Sequence, residues 1–330
     1  MRKTFINQLL DQAILNKDII LLTGDLGFTV FEEYQELIPD QFINIGVAEA
    51  NMMGLAAGLA LTGKIPIAYS IASFATARPF EQIKLDIALH KLPVVIVGIG
   101  SGLSYSTASV THQALDDIAI MNTVPNMTIL SPSGNFETKW AVSTATKLGK
   151  PIYLRLSKNE EPDVYEKKPN LKLGRGSIIS KGSKVAILST GMITSNVMLA
   201  AKILENKGIN PTIISMHTLK PFDHKLVKRL ARNHKLIVTV EEHSTIGGLG
   251  SIVSQSIMSL RASAKQSRRT SSNTPGVARR DSRGVDLKNT KLLTIAVPDK
   301  FLVKIGSLKY LRAQAGLSPA IIAHKILRAL

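Results

Sequence analysis

The sequence predicts an α/β protein made of two open, mainly parallel-sheet domains in succession. Three observations carry that expectation. The 330 residues exceed one ordinary domain of roughly 100 to 200. Short β-branched and apolar runs alternate with helix-period segments. One polar, proline-bearing stretch interrupts the alternation. In the first half the strand-like runs are DIILLTGD, FINIG, KIPIAYS, LPVVIVGIG, NMTILSPS and PIYLRLS. Each is short and apolar enough for a strand buried on both faces. Between them FINQLLDQAIL, EANMMGLAAGLAL and ARPFEQIKLDIA carry helical spacing. These units place a first domain over 1–165.

The stretch from Lys158 to Gly176, with Pro162, Pro169 and several charges, breaks the pattern, and 166–176 is expected to link the domains. A second alternation over 177–330 has the strands KVAILST, PTIISM, KLIVTVEE and KLLTIAVP. Helices are expected near 195–206, 224–233, 247–260 and 318–327.

A net charge of +17 raises nucleic acid as a partner. Its distribution argues for something plainer. Nine Lys and Arg between Arg261 and Lys291 face only Asp281 and Asp286, in a Ser/Thr/Gly-rich stretch with almost no large apolar residue. Such a segment buries too little surface to offset its ordering entropy, so 261–291 is expected to be a flexible basic insertion, a reading favoured over contact with RNA. The chain has no cysteine, which excludes disulfides, thiolate metal sites and cysteine nucleophiles. No apolar run reaches the roughly 18 to 20 residues of a membrane span, so no membrane role is expected. The basic start is followed by apolar positions interrupted by Asp11 and Asp18, without a small-residue cleavage site. It reads as a first helix and strand, and cytoplasm is the expected compartment.

Fold class leaves chemistry open, so function is sought in the loops at strand ends, where open parallel sheets place ligands. The run from Phe42 to Gly63 ends a strand and opens a nearly all-apolar helix whose charged residue is Glu49. An ionised carboxylate in apolar surroundings needs a partner, a raised pKa or a helix N-terminus. Taken alone, Glu49 reads first as an acid stabilising a helix end. His112, in SVTHQALDDIAIM, lies between an apolar strand and a helix. Its near-neutral pKa suits proton exchange with hydroxyl groups, and a plain helix-capping histidine is the alternative. Asp116 and Asp117 are expected to stabilise the first helical turn or a subunit contact. GGLG at Gly247 to Gly250 lacks the spacing of a dinucleotide fingerprint. Glu241, Glu242 and His243 alternate faces of a strand and so make no compact metal site.

GVAEANMMGLAAGLA resembles the glutamate-bearing segment of the pyrimidine-binding domain in transketolases and related thiamine-diphosphate enzymes. LLTGDLG, SFATARPFEQIKLDIA, THQALDDIAIMNTVPNMTILSPS, STGMITS, HTLKPFD and VEEHSTIGGLGS match in the same order, covering almost all of the chain outside the basic insertion. The resemblance implies a thiamine-diphosphate pyrimidine-binding fold followed by a transketolase C-terminal domain, the latter chiefly an assembly element. It implies transfer of a two-carbon ketol unit from a ketose to an aldose. It also implies that Glu49 shares a proton with the aminopyrimidine ring of thiamine diphosphate, whose exocyclic nitrogen then takes the thiazolium proton. His112 would face the sugar. Phe74 is the expected stacking aromatic, although counting forward from Glu49 falls nearer Ile71, and Phe80 is expected in the core. Asp25 matches a position near the cofactor and the partner chain. Lys158 stands where the family has a phosphate-binding arginine, with Arg155 nearby, and both are expected to bind substrate. Arg78 and Gln82 stay open as interface candidates.

Departures from the family pattern cluster around the substrate. Ala108 and Ser109 stand where an acidic residue and glycine are common, and GIGSGLSYS around Gly100 replaces a phosphate-binding histidine. With lysine for arginine at 158, these changes imply weaker anion binding and a modified or specialised sugar. No Gly-Asp-Gly segment, the family's holder of Mg2+ and diphosphate, occurs. Together with the compact start at Met1, this leads to the expectation of a natural separate subunit. An N-terminal partner chain would complete the cofactor site in an α2β2 assembly, with this chain also pairing with itself. A β subunit of a 2-oxo-acid dehydrogenase and a deoxyxylulose-phosphate synthase relative stand as alternatives. A non-catalytic scaffold or RNA-contacting subunit stands as an alternative of another class.

Overall fold

A computed structural model describes residues 1–160, 162–259 and 290–330. The chain adopts the expected α/β class. All six strand-like runs of the first half form strands: β1 (Ile19–Thr23), β2 (Phe42–Asn44), β3 (Ile65–Ile71), β4 (Val95–Ile99), β5 (Thr128–Leu130) and β6 (Ile152–Leu156). In the second half stand β7 (Ser177–Ser180), β8 (Lys184–Ser189), β9 (Thr212–Ser215), β10 (Thr218–Lys220), β11 (His234–Ser244) and β12 (Lys291–Val297).

The first sheet runs in the order β10-β5-β6-β4-β3-β1-β2. Its six own strands are mutually parallel, so all their C-terminal ends lie on one edge. β1, β4 and β6 are buried along their whole length, as a sheet covered on both faces requires. One face is covered by helix Arg2–Leu15 together with helix Asn135–Ala145, through Phe5, Leu9, Ala141 and Val142. The other is covered by helix Glu49–Leu61, the turns after Pro79, and helix Asp117–Thr123, through Met52, Met53, Ile83, Ile87, Ile118 and Met121. Each such side chain contributes about 1.5 to 3 kcal/mol when fully buried.

The segment ARPFEQIKLDIA is helical but not uniformly α. A short turn at Phe80–Gln82 passes into a π-helical stretch, Ile83–Ala88, in which Leu89 N–H reaches the Lys84 carbonyl at 3.1 Å. Phe80 packs, partly buried, against the core.

The second sheet has the order β12-β11-β8-β9-β7, parallel except for β7 against β9. Its expected helices form at Thr194–Glu205, His224–Asn233, 249–259 and Pro319–Ala329. Two elements went unforeseen by pattern: the antiparallel edge strand β7 and helix Leu308–Gln314. β10 is a further departure, because it leaves its own sheet and pairs antiparallel with β5 of the first. The two halves also share an apolar cluster in which Met121 and Ile129 join Ile214, Leu219, Leu226 and Leu249. Residues 162–176 carry no helix or strand. They are pinned where Asp163 accepts from Phe136 N–H at 3.0 Å and Tyr165 donates to Glu137. The basic insertion expected over 261–291 lies outside the described residues except for Thr290 and Lys291, which opens β12.

Candidate active site

The parallel sheet gathers the loops after β1, β2, β3, β4 and β6 on one edge, and these loops carry the residues singled out from sequence. Glu49 is the first residue of helix Glu49–Leu61, just beyond β2, and is 4% exposed. Its carboxylate takes two hydrogen bonds from Arg78 Nη1, at 3.0 and 2.9 Å, and a longer one from Ser70 Oγ at 3.4 Å. The Arg78 guanidinium carbon lies 3.8 Å from the centroid of the Phe74 ring. Phe74 in turn meets His112 edge to face, with centroids 5.0 Å apart. Tyr105 approaches the same imidazole at 5.5 Å, and Lys158 Nζ lies 4.8 Å from the Tyr105 ring centroid. Glu49, Arg78, Phe74, His112, Tyr105 and Lys158 therefore form one continuous chain of contacts.

The hydrogen bonds fix how His112 is protonated. Thr111 has one hydroxyl hydrogen, which it donates to the Ala108 carbonyl at 2.9 Å. Its oxygen is left to accept from His112 Nδ1, 2.8 Å away, so Nε2 carries the lone pair. Desolvation lowers the imidazole pKa below its usual value, and the Arg78 and Lys158 charges lower it further. A neutral ring with a basic Nε2 is the outcome at neutral pH.

Asp25 sits on the loop after β1 with a left-handed φ of 54° and is exposed. Its N–H donates to Asn44 Oδ1 at 3.0 Å, and its carboxylate accepts from Asn44 Nδ2 at 3.1 Å. These bonds tie the loop after β1 to the end of β2. Ile71 ends β3 and is half-buried against the core, one turn before Phe74.

Arg155 is not brought to this edge as a substrate ligand. It is 2% exposed and donates from Nε to Asp117 Oδ2 at 2.6 Å, and from Nη2 to Asp117 Oδ1 and to the Ala114 and Glu242 carbonyls. Tyr153 OH adds a bond to Asp117 at 2.6 Å. Sequence shows a cation beside Lys158 and conceals that Asp117, 38 positions away, encloses it. Asp117 thus does more than stabilise its helical turn.

Three features carried no usable sequence signal. Arg2, Lys3 and Lys158 line, with Glu32, Glu33 and Glu160, a cavity of about 690 Å³. Arg2 also lies near enough to act electrostatically on Tyr105. The spacing between Arg2 and Lys158 hides that both line one cavity. Tyr105 fills the GIGSGLSYS loop because Gly100, at φ 89°, leaves room: a Cβ there would fall 2.0 Å from the ring. The second half seats the same loop through Ser109 Oγ to the Val303 carbonyl at 3.1 Å and Gln113 Nε2 to the Leu302 carbonyl at 3.0 Å.

The acidic pair and histidine of β11 have separate structural partners. Glu241, whose pKa is raised by burial, accepts from Leu249 and Gly250 N–H and so caps the following helix. Gly248 is needed there, since a Cβ would lie 2.1 Å from that carboxylate. Glu242 pairs with buried Arg312, and His243 Nε2 accepts from Ala119 N–H. Among the described residues no group of three or more His, Cys, Asp or Glu side chains is arranged to hold a metal ion. Nor is any described helix long and apolar enough to cross a membrane.

Residues 1–162 match the family described as transketolase, pyrimidine binding domain, and residues 174–283 match transketolase, C-terminal domain. The chain is 36% identical to a putative transketolase C-terminal section from Methanocaldococcus jannaschii, over 78% of this chain and 82% of that one. The chain belongs to the transketolase family. It is also 34% identical to a 6-deoxy-6-sulfo-D-fructose transketolase subunit from Clostridium sp., over 77% of this chain and 80% of that protein. Among solved structures, a split gene transketolase described as an inactive beta4 tetramer superposes with a TM-score of 0.82 at 31% identity, covering 100% of this chain and 97% of that one. This transketolase-family chain therefore matches a C-terminal section, a subunit and a split-gene chain over four fifths or more of their lengths, and the family depends on thiamine diphosphate.

Proposed function

We propose that this chain is the C-terminal subunit of a heteromeric transketolase and completes a thiamine diphosphate site with a separate N-terminal chain. In this reading residues 1–165 form the pyrimidine-binding domain, 166–176 the linker and 177–330 the C-terminal domain. The partner holds the diphosphate and Mg2+, and two copies of each chain assemble. The single observation that carries the reading is the buried Glu49 carboxylate, linked through the Arg78 guanidinium to the aromatic face of Phe74, at the C-terminal edge of a parallel sheet. That donor set fits a planar nitrogen heterocycle: an acid to share a proton with a ring nitrogen, and a ring to stack upon.

When bound, thiamine diphosphate supplies the carbon nucleophile and electron sink for carbon–carbon cleavage. The chain's own residues do the rest. Glu49 holds a proton between its carboxylate and the ring nitrogen, in a site where little water competes. Phe74 stacks on the ring, with Ile71 against its edge, and Asp25 stands at the rim where the partner approaches. His112 Nε2 accepts a hydroxyl proton from the sugar and returns it. Lys158, beside the Tyr105 ring, binds an anionic group at the far end of the sugar. The Clostridium relative, named for a 6-sulfo ketose, supports an anionic substrate of this kind. The beta4 description of the split-gene relative supports contact between copies of this chain.

Co-expression with a chain carrying a Gly-Asp-Gly diphosphate domain is expected to yield a complex with ketose–aldose exchange activity, dependent on thiamine diphosphate and magnesium. Neither chain alone should be active. Pyruvate turnover, or dependence on a lipoyl-bearing partner, would instead favour the synthase or dehydrogenase readings.

A further inference from the structure

Two contacts define the proposed seat of the aminopyrimidine, the Glu49 carboxylate and the Phe74 face, and one side chain already makes both. Arg78 donates from Nη1 to each Glu49 oxygen, at 3.0 and 2.9 Å, and lays its guanidinium 3.8 Å over the Phe74 ring. A guanidinium is planar, delocalised and rich in N–H donors, and it stacks on aromatic rings. It thereby reproduces the donor and stacking chemistry of a protonated aminopyrimidine.

The rest of the geometry makes Arg78 the movable partner. Its side chain is 46% exposed against 4% for Glu49. It stands at the C-terminal end of helix Ala72–Ala77, immediately before Pro79. Among the described residues Glu49 is its sole hydrogen-bond partner. The carboxylate, by contrast, is fixed at the start of a buried helix.

We propose that Arg78 occupies the aminopyrimidine's place in the free chain and swings off Glu49 and Phe74 as the cofactor enters, so that the bare subunit never leaves a buried carboxylate unpaired. Removing one partner of a buried ion pair is strongly unfavourable, which gives such a stand-in a physical purpose. The proposal rests on the thiamine reading of Glu49, and it assigns to Arg78 a role in ligand exchange that sequence left open.

The test uses the full chain and the probe 4-amino-5-hydroxymethyl-2-methylpyrimidine, the ring fragment without diphosphate, measured by calorimetry. Arg78→Met is expected to bind the probe about tenfold more tightly than the unaltered chain, equivalent to about 1.4 kcal/mol. Adding Glu49→Gln to Arg78→Met should erase the gain. Methylguanidinium supplies a second readout: it should raise the melting temperature of Arg78→Ala and compete with the probe for that variant. Probe binding that is unchanged or weakened in Arg78→Met, while the unaltered chain binds in a Glu49-dependent way, overturns the stand-in role and leaves the thiamine reading intact. Methylguanidinium binding to Arg78→Ala with no probe binding to any form overturns both the shared seat and the thiamine reading. Failure of methylguanidinium to stabilise Arg78→Ala removes the Arg78 subsite itself.

Discussion

Two carboxylate–arginine clusters, some distance apart in the chain, use the same chemical groups to opposite ends. In the first, Asp117, Arg155 and Tyr153 meet β11 and its neighbours, and every member is buried. Asp117 and two carbonyls take the Nε and Nη2 bonds of Arg155. In the second, Glu49 is equally buried, yet its arginine is about half exposed and held at one end only. A sealed pair joins two halves of a chain. A pair with one free end leaves a buried charge that a ligand can claim, and the difference lies in the partner's exposure rather than in the residue types.

The largest effect is expected at the sealed cluster. Arg155→Met strands Asp117 in the interior, and denaturant unfolding should show a loss of about 3 to 5 kcal/mol. A loss below about 1 kcal/mol would show that this cluster does not bind the halves together. A smaller effect is expected at the open cluster. Desolvation together with the Arg78 and Lys158 charges holds His112 below its usual pKa, so removing a positive charge raises it. In Lys158→Met the acid limb of the kcat/KM profile should therefore move to higher pH, by up to about one unit, since a basic His112 is lost at higher pH when its pKa rises. An unmoved limb would mean that His112 is not the titrating base. The least effect belongs to an exposed pair, Asp18 with Lys64 at 2.9 Å, whose side chains are 54% and 37% accessible. Asp18→Asn should change stability by about 0.5 kcal/mol or less by thermal melting.

The contrast also explains what could be read from sequence. β1 and β4 were legible because IILLT and VIVGI are local apolar runs, and helix His224–Asn233 because its apolar residues recur at helical spacing. β10 was not, because TLK becomes a strand only by reaching β5 across the boundary between the halves. Glu49, Phe74, His112 and Lys158 could be named because each sits in a quotable segment at a strand end, and the structure gathers them. Arg155 looked like a ligand and Arg78 like an interface residue, since neither segment reveals the acid that takes it. A pairing such as Arg155 with Asp117, or the meeting of Arg2 and Lys158 in the lining of one cavity, is set by sheet order, to which local spacing is blind.

In the proposed function Glu49 acts on the cofactor ring rather than merely ending a helix. Proton–deuterium exchange at the thiazolium carbon of thiamine diphosphate, followed by NMR in the assembled two-chain complex, tests this without any sugar present. Glu49→Gln should leave the complex folded and slow that exchange by about 10² to 10⁴. Exchange in Glu49→Gln at the rate of the unaltered complex would contradict it.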